Sequence, residues 1–163
     1  MQKARWIQDK ILSREALVCR CNAWRTRGRG IVFTNGCFDI LHYGHLDLLA
    51  KAASFGHMLV VGANTDASVR ALKGPERPIN HENDRAFQLA SLLCVDAVTL
   101  FDEPTPLELI ELILPDVLVK GGDYSIDRIV GSDIVIGNGG RVEIVPFVSG
   151  YSTTSLINRI KEL

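Results

Sequence analysis

Gly30-Ile31-Val32-Phe33-Thr34-Asn35-Gly36-Cys37-Phe38-Asp39-Ile40-Leu41-His42-Tyr43-Gly44-His45 opens with β-forming residues, breaks at Asn35-Gly36, and is followed by a segment of different period. The run from Gly30 to Thr34 is too short for a helix and too apolar for a surface loop, which marks a central strand. Beyond His45, Leu46, Leu49, Ala50 and Ala53 stand at i, i+3, i+4 and i+7, so a helix with one apolar face follows. Met58-Leu59-Val60-Val61-Gly62 then supplies a second strand. Strand, helix and strand make a βαβ unit with a right-handed crossover. Ligands of such sheets bind beyond the carboxyl ends of the strands, which is where residues 35 to 45 fall.

The same alternation extends in both directions. Downstream, Asn64-Thr65-Asp66 opens a short helix, and Lys73-Gly74-Pro75-Glu76-Arg77-Pro78 is a loop able to act as a lid. Ala86, Leu89, Ala90 and Leu93 give a helix and residues 97–101 a third strand. Thr105 and Glu108 have capping-box spacing around Pro106, with Pro115 beyond the helix end. A fourth strand at 117–119 ends in Gly121-Gly122-Asp123, a short helix covers 131–136, and a fifth strand covers 142–145. Ser152-Thr153-Thr154-Ser155 caps a terminal helix carrying Leu156, Ile157 and Ile160. Upstream, Leu17, Cys21 and Trp24 predict a helix over 13–25. The expected class is α/β, a five-stranded, mostly parallel sheet with helices on both faces. Residues 1–29 are expected as a helical extension packed on the same domain as residues 30–163.

A chain of 163 residues that is 47% apolar can bury a core without disulfides or a structural metal. Its net charge of -1, from 18 basic and 19 acidic residues, offers no footprint for non-specific nucleic-acid or membrane binding. The first ten residues lack the apolar core of a signal peptide and no later run approaches a membrane span, so a soluble, cytoplasmic protein is expected. Cysteines at 19, 21, 37 and 94 fit neither zinc knuckles nor a disulfide framework and are read as reduced, Cys37 as a small buried thiol.

Phosphate binding must therefore be local. Gly44 permits close backbone approach, and the following helix turns free N–H groups and its positive dipole end toward the sheet edge. His42 and His45 can then flank one phosphate, while His-x-x-His alone has too few ligands for a metal site, and none is expected. Such an arrangement suits nucleotidyl transfer, whose barrier falls when the reactants are aligned and charge on the α-phosphate is neutralised. Loss of either histidine should be severe for rate and mild for folding.

Thr34-Asn35-Gly36-Cys37-Phe38-Asp39 joined to His42-Tyr43-Gly44-His45 resembles the signature of the cytidylyltransferase-like nucleotidyltransferases, which implies a Rossmann-like nucleotidyltransferase fold. Within them, residues 73–80, 119–124 and 150–154 resemble the D-glycero-β-D-manno-heptose 1-phosphate adenylyltransferases, in many bacteria the C-terminal domain of a bifunctional heptose kinase/adenylyltransferase. The resemblance implies transfer of AMP from ATP to the sugar 1-phosphate, giving ADP-heptose and pyrophosphate for the lipopolysaccharide inner core. It also implies Mg²⁺ on the triphosphate, a homodimer with Trp6 and the first helix as candidate contacts, and a separate heptose kinase. Position by position, it makes His42, His45 and Lys73 catalytic. Thr34, Asn35, Gly36, Phe38, Gly44, His45, Lys120, Gly121, Gly122, Asp123, Ser152, Thr153 and Thr154 become nucleotide-binding, with the 120–123 segment open to either the nucleoside or the sugar phosphate. Asp39, Lys73 and Arg85 become substrate-binding, although Arg85 also has the spacing of a surface partner of Glu82, and Asp123 that of a turn former. Glycerol 3-phosphate cytidylyltransferases share the histidine motif but carry an arginine before the Ser-Thr-Thr tract, where this chain has Phe147-Val148-Ser149-Gly150-Tyr151. A CTP-dependent enzyme for such an alcohol phosphate, and a non-catalytic nucleotide-binding regulatory module, are the alternatives.

Overall fold

The first two helices, α1 (Gln2–Gln8) and α2 (Arg14–Arg25), precede the central strand β1 (Ile31–Gly36) in the computed structural model, which describes residues 2–163. Then follow α3 (Tyr43–Ala53), β2 (Met58–Asn64), α4 (Asp66–Lys73), α5 (Glu82–Ala90), β3 (Ala97–Phe101), α6 (Leu107–Ile113) and β4 (Val117–Gly121). A 3-10 turn at Ile126–Arg128, α7 (Ser132–Gly137), β5 (Arg141–Val145) and α8 (Thr153–Lys161) complete the chain.

The strands lie in the order β3-β2-β1-β4-β5, and every pair is parallel, so the sheet is wholly rather than mostly parallel. Because β1 pairs with β2 on one side and β4 on the other, the chain reverses its winding between β1 and β4. A crevice opens beyond the strand ends at such a switch point. Here it lies between Asn35-Gly36 on β1 and Lys120-Gly121 on β4.

Strand residues alternate between two cores, as the two-residue period requires. Val32, Leu59, Val61, Val98 and Val119 pack with Leu49 and Ala52 of α3 and Ala86, Leu89 and Ala90 of α5. On the opposite face Ile31, Phe33, Val60 and Leu118 pack with Leu17, Cys21 and Trp24 of α2, Leu109, Ile110 and Ile113 of α6, and Val135 of α7. Ser13 caps α2 by accepting the Ala16 amide.

Three local expectations change. The capping box is absent: α6 starts after Pro106, whose carbonyl takes the Ile110 amide, and no side chain caps it. Leu93 falls beyond the end of α5 and is 91% exposed, so that helix closes its apolar face at Ala90. On α3, Leu46 and Ala50 face outward while Leu49 and Ala52 are buried, with His45 and Leu48 partly buried on the same side. Positions 45, 48, 49 and 52 form the inward row, and the apolar periodicity missed it because its first member is an imidazole.

Candidate active site

The crevice contains two confluent lobes. The larger, about 570 Å³, is lined by Asn35, Asp39, Lys120, Tyr124, Arg128 and neighbouring apolar groups. The smaller, about 460 Å³, is lined by His42, Gly44, Gly121, Ser152, Thr154 and the segment from Val145 to Tyr151. His45, Lys73, Arg77, Phe147 and Thr153 border both.

His42 and His45 bracket the first turn of α3, and their rings stack with centroids 3.8 Å apart. Phe38, buried and held at φ 47°, sets its ring edge-on to His45 at 5.3 Å. A left-handed phenylalanine costs free energy that the surrounding contacts must offset. Gly44 sits close under the same packing: a Cβ there would lie 3.2 Å from the His42 ring and 3.4 Å from the Tyr151 Cβ, so the neighbours would have to shift by a few tenths of an ångström. The Nδ1 atoms of both histidines are buried without a protein partner. Burial, aided by the neighbouring His42 and Lys73 charges and opposed by the Ile40 backbone, pushes the His45 pKa down to about 4; burial also lowers that of His42. Both rings are therefore neutral at pH 7 and present themselves as hydrogen-bonding groups rather than fixed cations.

These shifts carry a sign. Between the ordinary value of 6.5 and about 4 the unfolded chain binds a proton at His45 that the folded protein does not. The stabilising contribution of His45 is present above 6.5 and is lost as pH falls toward 4, and the lowered pKa of His42 acts in the same direction. Thermal melts between pH 7 and 5 should show this decline, and His45→Gln should flatten it; an equal decline in the variant would remove His45 as its source. The window is distinct from that below 3.8, where Asp39 and Asp66, both held below their usual values, take up protons.

Asp39 borders the larger lobe and is engaged within the protein. Its nearly unexposed carboxylate accepts from Arg77 Nε at 2.6 Å and from the amides of Ile79 at 2.8 Å and Asn80 at 2.9 Å, while the Asn80 side chain returns a hydrogen bond to the Asp39 carbonyl. Burial raises its pKa, and those three donors more than reverse the effect. The far half of the expected lid is thereby fastened to the histidine motif.

Arg85 is no surface partner of Glu82, which instead accepts the Asp66 amide. Its side chain is 0% exposed and lies outside the lining of both lobes. The sequence could not separate this inward position from a surface i, i+3 pair, because both occur on one helix face.

Lys120, projecting from the end of β4, is mostly buried, and its one hydrogen bond goes to Asn35 Oδ1 at 3.2 Å. Burial lowers its pKa. Thr34 is wholly buried, with an unpartnered Oγ1, and lies outside both linings, as do Gly122 and Asp123. Gly122 has φ 130° and its Cβ position lies 2.6 Å from the Tyr124 ring, so a side chain there would be strained and would displace that tyrosine. Ser152 caps α8 by accepting the Ser155 amide at 3.0 Å, and Thr153 and Thr154 face the crevice beside it. Cys37 is partly buried, and burial raises its thiol pKa, the opposite of an activated nucleophile. Cys19 is exposed while Cys21 is buried, so they do not form a pair.

Arg77, Tyr124, Phe147 and Asn64 also line the crevice. Arg77 and Tyr124 lie in segments already singled out, but nothing in their spacing assigns them individually. Phe147 carries no local signal, since an isolated aromatic after a strand is as common on an ordinary surface. Among the described residues no group of three or more His, Cys, Asp or Glu side chains is placed to hold a metal ion. A divalent cation that keeps its waters and rides on substrate phosphates needs no such cage.

Residues 33–159 match the family described as Cytidylyltransferase-like. The chain belongs to that family. It is a nucleotidyltransferase. It is 57% identical over 152 residues to the bifunctional protein HldE of Geotalea uraniireducens, covering 93% of this chain and 31% of the relative. Identity to HldE of Mesorhizobium japonicum is 53% over 154 residues, 94% of this chain and 31% of the relative. The chain thus spans about a third of the length of these curated relatives. The lipopolysaccharide core biosynthesis protein from Thermoplasma volcanium superposes with TM-score 0.60 at 29% identity, over 77% of this chain and 100% of that one. Pantoate-β-alanine ligase from Francisella tularensis has TM-score 0.54 at 15% identity, over 94% of this chain and 78% of that one, and shares the fold. No helix among the described residues is long and apolar enough to cross a membrane.

Proposed function

We propose that this nucleotidyltransferase moves AMP from ATP to D-glycero-β-D-manno-heptose 1-phosphate, giving ADP-heptose and pyrophosphate for the lipopolysaccharide inner core. The observation that carries this reading is the uneven distribution of charge along the crevice. Apart from the shared border, the smaller lobe contains no lysine, arginine or carboxylate, only His42, glycines, hydroxyls and apolar groups. It suits a nucleoside and the phosphates next to the α8 N-terminus. The larger lobe adds Lys120 and Arg128, which suit the phosphate of an acceptor. The two substrates then meet at His45, Lys73 and Thr153, where the acceptor phosphate oxygen attacks the α-phosphorus and pyrophosphate leaves. His42, His45 and Lys73 stabilise the charge developing there. Mg²⁺ carried by the triphosphate shields its negative charge.

Heptose as the acceptor is supported by the segments around Lys73, Lys120 and Ser152 and by the extent of identity to HldE. ATP over CTP is supported by the absence of an arginine between Phe147 and Tyr151. Residues 1–29 serve as an extension of the same domain as residues 30–163, in keeping with Leu17, Cys21 and Trp24 in its core. A homodimer through Trp6 and α2 is the assembly favoured by the half-exposed Trp6, over which Lys10 Nζ lies 4.3 Å from the ring centroid. Cytoplasmic location and a separate heptose kinase complete the proposal.

Pyrophosphate release across a matrix of ATP or CTP with heptose 1-phosphate or glycerol 3-phosphate, with mass spectrometry of the product, tests it. ADP-heptose is expected. Turnover confined to CTP and an alcohol phosphate would select the second enzyme, and triphosphate binding with no product from any acceptor would select the regulatory module.

A further inference from the structure

Arg85 is the largest fully buried side chain among the described residues. A guanidinium stays charged at any accessible pH, so burying one is tolerated only where its donors are engaged. Nη2 donates to Asp66 Oδ1 at 2.9 Å, Nε to the Asn80 carbonyl at 3.0 Å, and Nη1 to the Cys37 carbonyl at 2.7 Å. The three acceptors belong to separate segments. Asp66 is the first residue of α4, whose last residue is Lys73. Asn80 ends the loop fastened to Asp39. Cys37 immediately precedes Phe38, the residue held at φ 47° against the His45 ring.

We infer that Arg85 is a positioning residue that acts through these contacts: by fixing the Cys37 carbonyl, Asn80 and the start of α4 together, it holds Phe38 under His45 and Lys73 at the border of the two lobes. It touches no substrate. Its planar fork reaches three acceptors in three directions, whereas a lysine ammonium is a point charge that can meet Asp66 without bracing the Cys37 carbonyl.

Arg85→Lys tests this inference by two readouts. The kinetic readout rests on the proposed reaction: kcat should fall on the order of tenfold or more, with KM for both substrates changed less than about threefold. A rise in one substrate's KM at unchanged kcat would instead mean direct contact and overturn the inference. So would a lowered melting temperature with unchanged kcat, which is what a merely structural role predicts. The second readout needs no turnover: the NMR resonance of the His45 ring Cε1–H, which senses the Phe38 ring, should move in the variant. An unmoved resonance overturns the inference. Absence of turnover by the parent with heptose 1-phosphate would reject the proposed reaction and leave Arg85 to be judged by the resonance. If Arg85→Lys does not melt cooperatively, the resonance is followed in Asp66→Asn, which keeps an acceptor oxygen but removes the opposing charge. Movement in that variant supports the inference, and an unchanged spectrum overturns it.

Discussion

Replacing His45 with alanine is expected to lower turnover by on the order of 10²–10³-fold, the usual cost of removing one preorganised donor at a site of developing negative charge. The melt should remain cooperative and close to the parent's. His45 lies on the inward row of α3, so its loss opens space near the sheet, and that effect alone destabilises. However, the ring also buries an unpartnered Nδ1, and removing an unsatisfied polar atom works in the opposite direction. The two effects offset in stability but not in rate, because alanine has nothing to offer the α-phosphate. Single-turnover pyrophosphate release together with a thermal melt of the same sample separates them. Parent-like turnover in a folded His45→Ala protein would remove the histidine from the mechanism.

Lys120→Met should move activity and stability in different directions. The ammonium is mostly buried, its hydrogen-bond partner is the neutral amide oxygen of Asn35, and burial lowers its pKa, so in the free protein its charge is poorly compensated. Methionine keeps the length and removes that burden, and the variant should melt no lower than the parent. An anionic acceptor would supply the missing compensation. A hydrogen bond to a charged group contributes about 1.5–3 kcal/mol, so kcat/KM for the acceptor should fall on the order of 10- to 100-fold while KM for the triphosphate changes little. A larger effect on the triphosphate would move Lys120 to the nucleotide lobe. Stability assays and initial rates with each substrate varied in turn would decide it.

Much of the fold was legible because its signals are local. Short apolar runs, glycine and proline breaks, and helix-period segments place all five strands and the helices from α2 onward. The histidine motif was legible for the same reason, being continuous in sequence and set between a strand and a helix. The short helix α1 was not anticipated, because residues 2–8 carry no apolar stripe to mark it. The partners of Asp39 and Arg85 within the protein were not legible, for a different reason. They are Arg77, Ile79, Asn80, Cys37 and Asp66, most of them dozens of residues away, and a charged side chain looks alike in sequence whether it faces a ligand or clamps a loop. Residue types identified the chemistry available at the crevice, but only three-dimensional partners show which charges remain uncommitted.

The fastening of Arg77 and Asn80 to Asp39 limits how far the neighbouring chain can travel. Only Gly74, Pro75 and Glu76 separate the end of α4 from Arg77, and three residues span at most about 10 Å. Ordering them costs roughly 1–2 kcal/mol per residue, far less than recruiting a long flap. In the proposed reaction Lys73 then acts as a cation on a short tether, at high effective concentration beside the phosphates, and the energy of substrate binding is left for the chemical step instead of being consumed in closing a gate.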